Sequence, residues 1–93
     1  MTNTKPHMYY WYEEENGTKW ELLIEGDYEK YEDGTAGVVD LDVKYYAKVI
    51  TEGVVSLVHE ENVPDEILGF AESLLDSPTT EIEIQQGYEE VNP

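Results

Sequence analysis

Apolar and polar residues alternate along most of this chain, most cleanly on either side of Asn16-Gly17. Residues 8–25 read MYYWYEEENGTKWELLIE. A period of two marks strands. Asn-Gly between two such runs marks a hairpin, because a two-residue type I′ turn needs positive φ at both positions. That turn predicts Glu15 opposite Thr18, Glu14 opposite Lys19, Trp11 opposite Leu22 and Tyr9 opposite Ile24. Tyr9, Trp11, Trp20, Leu22 and Ile24 are then expected on the core face. Tyr10, Tyr12, Glu14, Lys19, Glu21 and Glu25 are expected on the opposite face. A slip of one residue exchanges the two sets.

Residues 1–7 read as a flexible lead before this hairpin. After it, residues 26–37 carry three glycines and several acids. Two readings compete there. Tyr28 continues the Trp20/Leu22/Ile24 parity, which favours a strand bent by a bulge at Gly26 and running to about Tyr31. The other reading is an ordered loop. Asp33-Gly34 to Gly37 then supply a turn.

Residues 38–50, VVDLDVKYYAKVI, give the longest alternation. Val39, Leu41, Val43, Tyr45, Ala47 and Val49 are expected inward. Asp40, Asp42, Lys44, Tyr46 and Lys48 are expected outward, as in an antiparallel sheet with one wet face. Thr51-Glu52-Gly53 turns the chain. Residues 54–58, VVSLV, are apolar on both parities apart from Ser56, which suits a strand covered on both faces.

A helix is predicted next. Asn62 has the chemistry of an N-cap, Pro64 fits the first turn, and Asp65 and Glu66 suit the positive end of the dipole. Ile67, Phe70, Ala71, Leu74 and Leu75 form an apolar stripe to lie on the sheet. Ser77-Pro78 predicts its end near Asp76. Residues 80–86, TEIEIQQ, alternate once more and read as a strand with Ile82 and Ile84 inward, followed by a tail over 87–93. The expected fold is α+β: about five antiparallel strands in β-β-β-β-α-β order, with one helix on one face. The 93 residues are expected to form one domain.

Charge changes this picture more than any motif. Twenty-two acids face five lysines, with no arginine, for a net −17. Small domains usually carry a net charge of about 2–8 in magnitude. Phosphate backbones and anionic membranes are repelled, so neither nucleic acid nor membrane is an expected direct partner. The expected partner is cationic: a basic protein, such as a nucleic-acid-handling enzyme. No apolar run approaches the ~18 residues of a membrane span, residues 1–7 lack a signal-peptide core, and cysteine is absent. The reading is a soluble cytoplasmic protein, in the host cytoplasm if viral.

Acids two apart on a strand lie ~6.7 Å apart on one face. Asp40/Asp42 and Glu81/Glu83 are candidate rows of this kind, and Glu21/Glu25, four apart, share a face at twice that spacing. One DNA strand carries a phosphate per ~3.4 Å, so two adjacent acidic strands approach that density. The composition is similar to that of small acidic phage inhibitors that mimic nucleic acid, although no motif identifies a family. The competing reading is an acidic surface kept for solubility or salt adaptation.

Tyr10, Tyr12, Glu14, Glu21, Asp40, Asp42 and Tyr46, on the expected wet face, are the candidate partner-binding residues. A self-associating assembly protein that uses those tyrosines is the alternative, with a monomer favoured over a homodimer. Asp40-x-Asp42 and Asp33-Gly34 do not meet the calcium-loop spacing. His7 and His59 are far apart in sequence, which makes a poor zinc site. There is no nucleophile–base ordering or phosphate loop, and a chain this small has little room for a substrate cleft. Neither enzyme activity nor a cofactor is expected.

Overall fold

The computed structural model describes residues 5–91. Four strands form an antiparallel meander: β1 (His7–Glu13), β2 (Lys19–Lys30), β3 (Ala36–Thr51) and β4 (Val54–Val58), in the spatial order β1-β2-β3-β4. A short 3₁₀ turn over Glu60–Asn62 leads into α1 (Asp65–Leu75), and α2 (Pro78–Val91) follows. The α+β class is as expected. The fifth strand is not present: residues 80–86 and most of the expected tail belong to α2. Thr80 and Ile84 are buried and Tyr88 is half-buried at helical spacing, while Ile82 is exposed. Pro78, expected to stop a helix, starts one, since its missing N–H is not needed in the first turn.

The first hairpin departs from expectation by one residue. Tyr12 lies opposite Trp20, Tyr10 opposite Leu22 and Met8 opposite Ile24. Glu14 N–H donates to Thr18 O at 2.8 Å, and Gly17 N–H to Glu14 O at 2.9 Å, with Gly17 at φ 89°. This is a three-residue loop, a type I turn closed by a left-handed glycine. Asn16 Oδ1 accepts from Thr18 N–H at 2.9 Å. The second turn repeats the geometry on a near-identical sequence, Glu32-Asp33-Gly34-Thr35 against Glu15-Asn16-Gly17-Thr18. Tyr31 N–H donates to Thr35 O, Gly34 N–H to Tyr31 O, and Thr35 N–H to Asp33 Oδ1. The Thr35 bonds hold the Asp33 carboxyl below its ordinary pKa.

The added loop residue inverts β1. Met8, Tyr10 and Tyr12 join Trp20, Leu22 and Ile24 beneath the helices, and Tyr9 and Trp11 turn outward. β2 runs through the expected bend. The register shifts between Glu25 and Asp27, where Gly26 faces a widened stretch of β3 containing Asp40 at φ 56°. A Cβ at Gly26 would stand 2.8 Å from Val39 O, Val38 Cγ1 and Leu41 Cδ2, so only glycine fits there. Gly26 N–H donates to Pro6 O at 3.0 Å, which ties residue 6 of the expected lead to the sheet.

A second shift, between Leu23 and Ile24, resets β3. Ile24 pairs with Val43 and Leu23 with Tyr45, leaving Lys44 as the extra residue. Beyond it the parity reverses. Tyr46, expected outward, pairs with Leu22 and is only 8% exposed, while Tyr45 passes to the other face. β4 is an edge strand whose first four residues are exposed, not a strand covered on both sides.

One half of the core joins Trp20, Leu22, Tyr46, Val63, Ile67 and Ala71; the other joins Ile24, Val38 and Ile84. The stripe expected on α1 is in place, with Ile67 and Ala71 buried and Phe70 against Tyr12 at 4.9 Å between ring centroids. Asn62 is not the cap. It ends the 3₁₀ turn, and α1 begins after Pro64 with no side-chain cap.

Candidate functional site

Both helices lie on the face that carries Tyr10, Tyr12, Trp20 and Leu22. Among the described residues no layer covers the opposite face of the sheet. The register sets its rows: Trp11–Glu21–Ala47–Leu57 runs across all four strands, beside Tyr9–Leu23–Tyr45 and Val49–Val55. Trp11 is 62% exposed, Leu57 69% and Tyr9 42%. The Tyr9 and Trp11 rings stack at 6.4 Å and 28°. Ala47 between them in the row is fully buried, so larger neighbours on the same face cover it. Toward the turn ends, Trp11, Glu13, Lys19, Glu21, Val49 and Val55 line a shallow groove of about 890 Å³.

The register also places Glu13, Lys19, Glu21 and Glu25 on this face. Tyr45 Oη donates to Glu21 Oε2 at 2.7 Å. Burial, and then this carboxylate, push the Tyr45 hydroxyl well above the ordinary tyrosine pKa. Lys44 reaches Glu25 at 3.9 Å. The edge beside the face is also open: β4 pairs on one side only and carries no charged residue. Natural edge strands are usually guarded by charge, proline or a covering segment.

The helix side is the opposite in character. All five lysines fall in residues 1–48, and residues 49–93 carry eleven of the 22 acids with no lysine or arginine. Tyrosines take the place of cations as partners to these acids. Tyr10 Oη donates to Glu83 at 3.0 Å and Tyr28 Oη to Glu89 at 2.6 Å, and Tyr12 donates to Glu66. Each bond joins a strand to a helix. Tyr10 is pushed up to about 12, by burial first and by Glu83 second. Tyr12 and Tyr28 are raised chiefly by their hydrogen bonds.

The expected binding residues do not share one surface. Tyr10 and Tyr12 lie under the helices. Glu14 sits in the first turn and accepts from Trp20 Nε1 at 2.6 Å. Asp40 lies in the bulge. Asp42 and Tyr46 border a cleft beside α1. Glu21 is the member on the open face. Of the residues that make that face, Tyr9, Trp11 and Tyr45 were hidden in the sequence by a parity that suits the core equally well; Leu23 already falls on the outward parity of β2, and Leu57 lies in a strand expected to be covered on both faces. Among the described residues no group of three acids or histidines stands close enough to hold a metal ion. No helix among them is long and apolar enough to cross a membrane. The chain matches no protein-family model, no curated protein and no solved structure, which leaves its own two surfaces to speak for its function.

Proposed function

We propose that this is a non-enzymatic binding protein that docks a basic protein through the open sheet face. The observation that carries the reading is the row Trp11–Glu21–Ala47–Leu57, with Tyr9 stacked on Trp11 and no helix above it. Exposed aromatic and aliphatic residues gathered on one face are the usual make-up of an interface centre. Net charge of −17 adds long-range attraction to a cationic partner and speeds encounter. Apolar contact supplies the residence time, and the acids supply the choice of partner. A nucleic-acid mimic is the narrower form, in which the partner's basic surface is one that otherwise holds DNA or RNA.

The test is to isolate a binding protein at low salt and compare purified variants. Trp11→Ala is expected to weaken binding by about tenfold or more through faster dissociation, as a central aromatic anchor does. Neutralising Glu89 and Glu90 together is expected to slow association and leave dissociation nearly unchanged. In the mimic form, DNA or RNA competes for the partner. A partner bound equally well by Trp11→Ala removes the open face from the reading.

Self-association is favoured by one specific observation. Lys19 and Lys44 lie on or beside the open face, whereas the base-free half of the chain builds the helix layer on the far side. A face-to-face two-fold dimer would therefore hold its most acidic layers apart. Light scattering over a salt series decides this: a doubled mass that Trp11→Ala abolishes supports it, and a monomer throughout removes it.

A further inference from the structure

We propose that the cleft between α1 and β3 is a binding site for an alkylammonium group, with the Tyr46 hydroxyl as its central acceptor. The cleft, of about 620 Å³, lies on the helix side, away from the open face. Asp42, Glu60, Asp65 and Glu72 line it, drawn from β3, the 3₁₀ turn and α1. Leu68, Val43 and Leu75 add apolar wall. Carboxylates above an apolar wall match a cation on an aliphatic stem, the shape of a lysine side chain or a polyamine.

Acids alone would not make this a site. Tyr46 is the independent observation. It is 8% exposed, and its ring is built into the core with Trp20, Leu22 and Ile67. Its hydroxyl makes no hydrogen bond within the described residues, unlike those of Tyr10, Tyr12, Tyr28 and Tyr45, which each donate to a glutamate. Among those residues no sealed side-chain polar atom lacks a partner, so the Tyr46 hydroxyl is open to solvent; Tyr46 borders this cleft and a second one beside Val58 and His59, and the carboxylates that act on its hydroxyl line the first. Glu60, Asp42 and Glu72 are close enough to add to burial in raising its pKa. Yet none of the three accepts from it. The hydroxyl therefore stays neutral and leaves its oxygen free to accept.

Among the described residues no lysine lines this cleft. Lys44 turns to Glu25, and the Lys48 ammonium sits 5.4 Å from the Trp20 ring centroid. A bare metal ion is a poor fit, since the acids do not gather as a ligand set. An ammonium group asks for less: its acceptors stand about 2.7–2.9 Å from the nitrogen, and one carboxylate beside the Tyr46 oxygen already engages two of its three donors.

Two probes separate the sources of such a group: Nα-acetyl-lysine amide for a protein side chain, and spermidine for a free polyamine. Each is titrated into the intact chain at constant ionic strength while the Tyr46 ring and α1 amide resonances are followed by NMR. Saturable shifts centred on Tyr46, Leu68 and Glu72 are expected. Binding is expected to weaken at least about threefold in Tyr46→Phe and in Glu72→Gln, each of which removes one hydrogen-bonding group from the cation. The second substitution is at an exposed position and guards against a folding effect of the first. Tighter binding of the lysine amide assigns the site to a partner's side chain, and tighter binding of spermidine assigns it to a polyamine. Shifts spread equally over Glu81, Glu89 and Glu90, or affinity unchanged in both variants, would overturn the site and reduce the acids to a diffuse polyanion.

Discussion

Tyr10 on β1 donates its hydroxyl to Glu83 on α2 at 3.0 Å, joining residues 73 positions apart. It is the most buried of the three strand-to-helix tyrosine bonds, and it lies beside the Ile24/Ile84 half of the core. Tyr10→Phe keeps the ring and removes the bond. It is expected to cost about 1–2 kcal/mol, the range for a hydrogen bond to a charged group that is partly solvated. Urea unfolding measures this. A loss no larger than that of Tyr9→Phe would mean that the bond is not felt.

Burial and hydrogen bonding of the tyrosines together set the response to alkali. Tyr10 stands at about 12 when folded, against 10.0 for an ordinary tyrosine, and Tyr12, Tyr28, Tyr45 and Tyr46 are shifted in the same direction. Raised values mean that the unfolded chain loses these protons first. The associated stability is fully present below pH 10 and is lost between 10 and about 12 for Tyr10. Thermal midpoints are expected to be flat from neutral pH toward 10 and to fall steeply above it. Ionisation of these five tyrosines should accompany unfolding. Ionisation of these five without loss of structure would contradict the assignment.

Two glycines make opposite predictions. Gly26→Ala drives a methyl against Val39 O and two core side chains at 2.8 Å. It is expected to destabilise by about 1–3 kcal/mol. Gly87, inside α2, has open space within 4 Å of where an alanine methyl would stand. Gly87→Ala is expected to stabilise by about 0.5–1 kcal/mol through helix propensity. Denaturant midpoints of the two variants should move in opposite directions.

Neither helix carries a basic residue in its last turn. Carbonyl ends of helices favour cations, and the surrounding acids repel one another. Glu90→Lys is expected to add about 0.3–1 kcal/mol at low ionic strength. Added salt should raise the midpoint of the parent chain, and raise that of the variant less, by screening the same repulsion. Equal salt responses would place the repulsion elsewhere in the molecule.

Much of the architecture was legible because burial demands it. The parity of Trp20, Leu22, Ile24 and Tyr28 carried β2 through the Gly26 bend. The Ile67/Ala71/Leu74 stripe marked α1. What escaped were features whose local signals serve two outcomes. Asn-Gly fits a two-residue loop and also a three-residue loop with glycine last. Lys44 carries no mark of the extra residue that turns Tyr46 inward. Residues 80–86 alternate at Ile82 and Ile84, but Thr80, Ile84 and Tyr88 also repeat at four, and packing against β1 and β3 selects the helix. The candidate surface inherited these errors. Tyr10, Tyr12 and Tyr46 were placed outward by a register one residue short and a parity not yet reset, and Trp11 was hidden by the same slip.

The three-residue loop at 15–17 has one more consequence. No single residue of β1 determines which way the strand faces; the length of that loop does. Deleting one loop residue would act on the strand as a frameshift acts on a message. Every side chain from His7 to Glu13 would be reread on the other face with composition unchanged. Tyr9 and Trp11 would enter the space under the helices, and Tyr10 and Tyr12 would leave Glu83 and Glu66. In a lineage of such chains, length changes at this tip are therefore not the neutral trimming that exposed loops ordinarily tolerate. They exchange one working surface for another in a single step.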